Sequence, residues 1–120
     1  MNDDSRRLRR YRLPAAIQVS DAMTDAGFGR LCNISAGGML LLTDRLLQED
    51  CLYQLQFTLP QTAGHGEAFE PGAQVLWSEA ANPTGQYWAG LRFIGLGEDA
   101  SRRLDAWLAA QLPDAAGAAA

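Results

Sequence analysis

A chain of 120 residues has room for one hydrophobic core, and because 20 of its 57 hydrophobic residues are alanine that core is modest. Ten arginines, no lysine and fourteen acids give a net charge of −4, which argues against general affinity for nucleic acid or anionic membranes across the whole surface. The longest run of large apolar residues, Met39–Leu42, is far below the roughly 20 a membrane span needs, and no apolar stretch follows the N-terminal charges to mark a signal peptide, so the chain reads as cytoplasmic.

The charge is unevenly placed. Residues 1–12 carry Arg6, Arg7, Arg9, Arg10 and Arg12 against Asp3 and Asp4, a local +3, which leaves −7 on residues 13–120. Like charges this close repel, so residues 1–12 read as a flexible arginine-rich arm. After Pro14, Ile17 and Val19 mark a short strand within Ala15–Ser20. A turn-rich stretch, Ser20–Gly29, leads to Arg30–Ile34, which runs extended into Ser35-Ala36-Gly37-Gly38. Met39–Thr43 follows as a strand whose continuous apolar character predicts burial on both faces or packing under a helix.

Tyr53–Leu59 alternates four apolar with three polar residues, the period-two mark of a strand with one face in. Pro60 ends it, and Gln61–Gly66 is a loop holding the only histidine, His65. Ala73, Val75 and Trp77 alternate with Gln74 and Leu76. Beyond the Asn82–Gly85 turn, Tyr87, Ala89, Leu91 and Phe93 alternate with Trp88, Gly90 and Arg92, completing a hairpin. Only after Asp99 does the period become helical, with Leu104, Trp107, Leu108 and Leu112 on one stripe and Pro113 past its end. Six strands of antiparallel type and one helix predict a mostly β protein: a six-stranded antiparallel β-barrel with a C-terminal α-helix. Residues 13–112 form that unit, and 113–120 read as a disordered tail.

Little in this pattern speaks for catalysis. His65 lies in a glycine-rich loop, and Glu67, Glu70 and Glu79 have no spacing that defines an acid–base pair. Cys32 and Cys51 have neither zinc-site nor disulfide spacing and read as buried reduced thiols. No enzyme, metal or cofactor is expected.

Two features point instead to a ligand. Guanidinium is suited to paired hydrogen bonds with phosphate oxygens or guanine O6/N7, and its face stacks on purines. The arm offers several, interleaved with Tyr11. The turn Asn33-Ile34-Ser35-Ala36-Gly37-Gly38 supplies short polar groups, and its glycines allow close approach to backbone.

Together, an R-x-x-x-R pair (Arg6 and Arg10) and, 23 residues on, an N-x-S-x-x-G turn (Asn33, Ser35, Gly38) resemble the PilZ domain, the bacterial receptor for cyclic di-GMP. Gly72-x-x-Val75-x-Trp77 and Gly90-Leu91-Arg92-Phe93 look like two further strands of that family, and the likeness spans roughly residues 5–110. The resemblance implies that Arg6 and Arg10 grip phosphate or guanine, that Asn33 and Ser35 hydrogen-bond guanine or ribose-phosphate groups, and that Gly38 permits close packing. Arg7, Arg9, Gly37 and Trp77 are secondary candidates. It also implies a stand-alone receptor that acts by docking on a partner protein in motility, adhesion or signalling. The surplus arginines favour an intercalated pair of ligands over one. Two alternatives stay open: a small nucleic-acid-binding barrel with a basic arm, which the acidic body disfavours, and a PilZ-like interaction module that binds no nucleotide.

Overall fold

The computed structural model describes residues 10–60, 66–82 and 85–111. Within them the alternating stretches form strands β1 (Tyr11–Asp21), β2 (Gly27–Ile34), β3 (Gly38–Thr43), β4 (Leu52–Leu59), β5 (Glu67–Phe69), β6 (Gly72–Ala80) and β7 (Tyr87–Ile94), followed by helix α1 (Glu98–Gln111). The strands pair antiparallel in the order β1-β2-β3-β7-β6-β4, and β4 returns to β1 through Ser20–Gln56 and Asp21–Leu55. The six-stranded barrel with a C-terminal helix is therefore the fold, and its closure removes the free edges an open sheet would expose.

The extra strand, β5, adds no seventh stave. Its pairs with β4, such as Phe57–Phe69, continue the register that β6 keeps with the same strand at Gln54–Gly72, and between them the Leu55 N–H donates to the Pro71 carbonyl at 3.0 Å. β5 and β6 are one strand interrupted at Pro71, which has no N–H to give the ladder. At the other end, β1 begins inside the segment read as the arm, since Tyr11 and Arg12 are already strand. The turn-rich stretch contracts to the residues between Asp21 and Gly27, with Asp25 in the left-handed region at φ 62°.

Val19, Leu31, Ile34, Met39, Leu41, Leu55, Leu59, Val75 and Leu91 fill the interior with almost no solvent contact, as expected of a small barrel whose inside is packed side chains. β3 is less symmetric than its composition predicts. Met39, Leu41 and Thr43 are buried inward, while Leu40 and Leu42 point out and are only half-buried. Cys32 and Cys51 are free thiols, but half-buried where full burial is expected from sequence.

Helix α1 starts beyond Gly97, whose carbonyl accepts from the Ser101 N–H at 2.9 Å. Glu98 and Asp99 occupy its first turn, where the helix dipole favours negative charge. Leu104, Trp107 and Leu108 form its buried stripe; Leu112, Pro113 and the rest of the tail lie outside the described residues, as does His65. Trp107 anchors the helix, its Nε1–H donating to the Pro60 carbonyl at 2.8 Å and its ring meeting Tyr11 edge-on at 5.4 Å. Arg103 adds a clasp. Its Nη1 donates to Glu67 Oε2 at 2.6 Å and to the Ala68 carbonyl at 3.2 Å, its Nε donates to Asp99 Oδ2 at 3.1 Å, and its guanidinium lies 4.8 Å over the Phe69 ring. The hydrogen bonds it donates, to Glu67 first and Asp99 second, hold the guanidinium charged beyond its ordinary range. Together these contacts seat α1 against the start of β1, the end of β4 and the start of β5. No helix among the described residues is long and apolar enough to cross a membrane.

Candidate functional site

The turn between β2 and β3 is built by its own polar groups. The Ser35 N–H donates to the Gly38 carbonyl at 2.9 Å, the Ser35 hydroxyl donates to the same carbonyl at 3.4 Å, and the Gly37 N–H donates to Ser35 Oγ at 3.3 Å. From β7, the Phe93 N–H donates to the Gly37 carbonyl at 2.9 Å. Ser35 is 2% exposed, so in this state its hydroxyl shapes the turn. Gly38 is required by proximity: a Cβ there would overlap the Leu91 carbonyl of β7. Gly37 is exposed, with open space where a side chain would stand. The two glycines therefore separate in a test. Gly38→Ala is expected to cost about 1–3 kcal/mol of stability in a urea titration, the range for overpacking, and Gly37→Ala to stay within about 0.5 kcal/mol of wild type.

Asn33, half-buried at the end of β2, joins the two sequence motifs. Arg10 Nη1 donates to Asn33 Oδ1 at 2.9 Å, across 23 residues of chain. Arg6, Arg7 and Arg9 lie outside the described residues. Because Arg12 pairs with Asn33, Asn33 with Leu40, Leu40 with Gly90 and Gly90 with Trp77, one register row crosses the outer face of β1-β2-β3-β7-β6.

The position of Trp77 departs from the sequence pattern. Period-two alternation places it with Ala73 and Val75 on the inner face, but a register shift between Val75 and Trp77 turns it outward. Its indole fills the space that a Gly90 side chain would need, and it stays 39% exposed. An aromatic face is thus held at one end of the row whose other end carries Arg10, Arg12 and Asn33.

Charge sharpens the same face. Seven arginines are described. Arg45, Arg102 and Arg103 are tied to acids. Arg10, Arg12, Arg30 and Arg92 make no ion pair among the described residues, are all exposed, and stand on or beside the outer face just described. Arg92 flanks Gly38 and donates through Nε to Gln74 Oε1 at 2.6 Å. The sequence reading does not single out Arg30 or Arg92. Counting outward positions from Asn33 finds them, and that count needs the strand register. Uncompensated cations beside an aromatic face and short polar groups suit an anion that also carries planar bases.

A groove of about 450 Å³ opens elsewhere, at the β1–β4–β5 seam, lined by Gln18, Ser20, Gln56, Thr58 and Glu70 among others. None of the described motif residues lines it. Among the described residues no group of three or more His, Cys, Asp or Glu is placed to hold a metal ion.

Comparison with solved structures gives the same architecture. YcgR of Escherichia coli in complex with c-di-GMP superposes with a TM-score of 0.71 at 20% identity, over 92% of this chain and 47% of that one. The Bacillus subtilis inhibitor of motility MotI/DgrA gives 0.64 at 18% identity, over 79% and 45%. The chain thus spans about half the length of these two proteins. The isolated PilZ domain of Escherichia coli YcgR with c-di-GMP gives 0.63 at 18% identity, over 92% and 94%. No curated protein matches the sequence. The PilZ domain pattern matches residues 4–110, a stretch that takes in the arginine pair, the Asn33–Gly38 turn, the barrel and nearly all of the helix, and the chain belongs to the PilZ domain family.

Proposed function

We propose that this protein is a cytoplasmic receptor for cyclic di-GMP that works by binding and carries out no reaction of its own. The observation that carries the reading is the Arg10–Asn33 hydrogen bond of 2.9 Å, which joins one residue of the arginine motif to the Asn-x-Ser-x-x-Gly turn. In this reading Arg6 and Arg10 hold phosphate or the guanine O6/N7 edge, and Asn33 hydrogen-bonds guanine or ribose. Ser35 and Gly38 maintain the turn and its close approach, Gly37 leaves room above it, and Trp77 offers a stacking face; Arg7 and Arg9 are further cations.

The ligand also supplies an output. Arg10, Arg12, Arg30 and Arg92 repel one another on one face, and a molecule with two phosphates cancels part of that charge. The surface then offered to a partner protein differs in charge and shape between free and bound states. That partner belongs to motility, adhesion or signalling, and the likeness to MotI/DgrA, an inhibitor of motility, supports the first of these.

Calorimetric titration with cyclic di-GMP, GTP and a short oligonucleotide tests the reading. Cyclic di-GMP is expected to bind at micromolar concentrations or below, GTP much more weakly, and the oligonucleotide negligibly at physiological salt. Binding of the oligonucleotide with a steep salt dependence, and no preference for cyclic di-GMP, would move the assignment to nucleic acid. Silence with all three would leave a PilZ-fold interaction module.

A further inference from the structure

Next to the motif row lies a second one that no motif covers. Pairings Arg30–Leu42, Leu42–Trp88 and Trp88–Glu79 set these four side chains in register across β2, β3, β7 and β6, on the same outer face as Asn33, Leu40 and Trp77. The two rows are separated by two residues on β3 and on β7, about 7 Å. Leu42 and Trp88 are half-buried and form the floor; Arg30 and Glu79 are exposed at its two ends. Neither Arg30 nor Glu79 has a side-chain hydrogen bond or ion pair among the described residues.

The chemistry of this row is asymmetric in a way that matches one base. Three strand spacings put the Arg30 and Glu79 backbones about 14 Å apart, too far to pair with each other directly but within reach of the opposite edges of a purine laid between them. Guanine presents acceptors O6 and N7 on one edge, which a guanidinium donates to, and N1–H and N2–H donors on the other, which a carboxylate accepts. Adenine has no such donor pair for the carboxylate. An indole floor supplies the stacking.

We propose that Arg30, Leu42, Trp88 and Glu79 form a second guanine subsite, an assignment that rests on the cyclic di-GMP reading above and extends it. Trp88 and Leu42 stack the base, Arg30 donates to its O6/N7 edge, and Glu79 accepts from N1–H and N2–H. The base comes from the other half of the same cyclic dinucleotide or from a second stacked molecule.

Calorimetry on the full chain tests this with Arg30→Ala, Trp88→Ala and Glu79→Ala, alongside cyclic di-IMP, an analogue that lacks the N2 amino group. Each variant is expected to weaken cyclic di-GMP binding about tenfold, the loss of one charge-assisted contact or one stacking face. Wild type is expected to prefer cyclic di-GMP over cyclic di-IMP, and Glu79→Ala to lose that preference. One ligand per chain identifies the other half of the same molecule as the source, and two identifies a second molecule that the variants release first. Wild-type affinity, stoichiometry and base preference in all three variants overturn the subsite while leaving the receptor reading intact. Failure of the wild type to bind cyclic di-GMP overturns both. Because Arg30 and Glu79 are exposed, unchanged melting curves for their variants exclude misfolding as the cause of a loss.

Discussion

Arg10→Ala is expected to weaken cyclic di-GMP binding ten- to a hundredfold and to leave the melting temperature within a degree or two of wild type. The size follows from a charge-assisted hydrogen bond, worth about 1.5–3 kcal/mol, at 1.4 kcal/mol per decade of affinity. The stability half follows from exposure: among the described residues the Arg10 side chain bonds only the neutral Asn33, at the surface, and such a contact is replaced by water at little cost. Arg10→Lys separates charge from geometry. A lysine keeps the charge but cannot make the paired bonds of the planar fork, so an affinity between those of wild type and Arg10→Ala is expected. Calorimetry with a parallel thermal melt measures both quantities, and equal affinity in wild type and Arg10→Ala removes Arg10 from the site.

Trp107→Ala is expected to have the largest effect on stability, about 3–5 kcal/mol, as for buried aromatic side chains cut back to alanine. Three losses coincide: the 6%-exposed ring itself, the hydrogen bond to the Pro60 carbonyl, and the edge contact with Tyr11. A drop of roughly 10–20 °C in melting temperature corresponds to that range for a small domain. Trp107→Phe divides the sum, keeping most of the apolar area while losing the N–H, so about 1–2 kcal/mol is expected from the unsatisfied Pro60 carbonyl and the smaller ring. A Trp107→Ala protein as stable as wild type would show that the helix is not anchored through this residue.

Tyr11 makes the anchor relevant to ligand. Arg10 and Tyr11 are consecutive, so the side chain of one reaches Asn33 on the outer face while the ring of the next meets Trp107 on α1. Seating of the helix and placement of the arginine share one peptide unit.

Most of the barrel was legible in the sequence because most of its strands alternate. Tyr53–Leu59, with one face toward the core, appears as β4 (Leu52–Leu59), and the helical stripe of Leu104, Trp107 and Leu108 is buried as expected. What alternation cannot show is where it breaks. A register shift at Leu76 turns Trp77 outward, and Pro71 splits one strand into β5 and β6. Both are local backbone events that leave the hydrophobic pattern unchanged. For the two motifs, the resemblance suggested that Arg10 and Asn33 belong to one site, and the two side chains do meet. Arg30 and Glu79 carry no motif, and the strand signature that holds Arg92 gives it no part in a site. Their significance comes from which strand lies beside which, and the order β2-β3-β7-β6 is set by pairings distant in sequence.

Trp77 and Gly90 have a consequence for how sequences of this fold can vary. The indole occupies the volume a side chain at position 90 would fill, so the two positions are not free to change separately. Drift at 90 to any larger residue must either expel the tryptophan or be preceded by its loss, and a lineage that keeps the aromatic at 77 is held to glycine across the ladder. In a double-mutant cycle this takes the form of a coupling energy between the two positions: Gly90→Ala is harmful beside Trp77 and close to neutral beside a small residue.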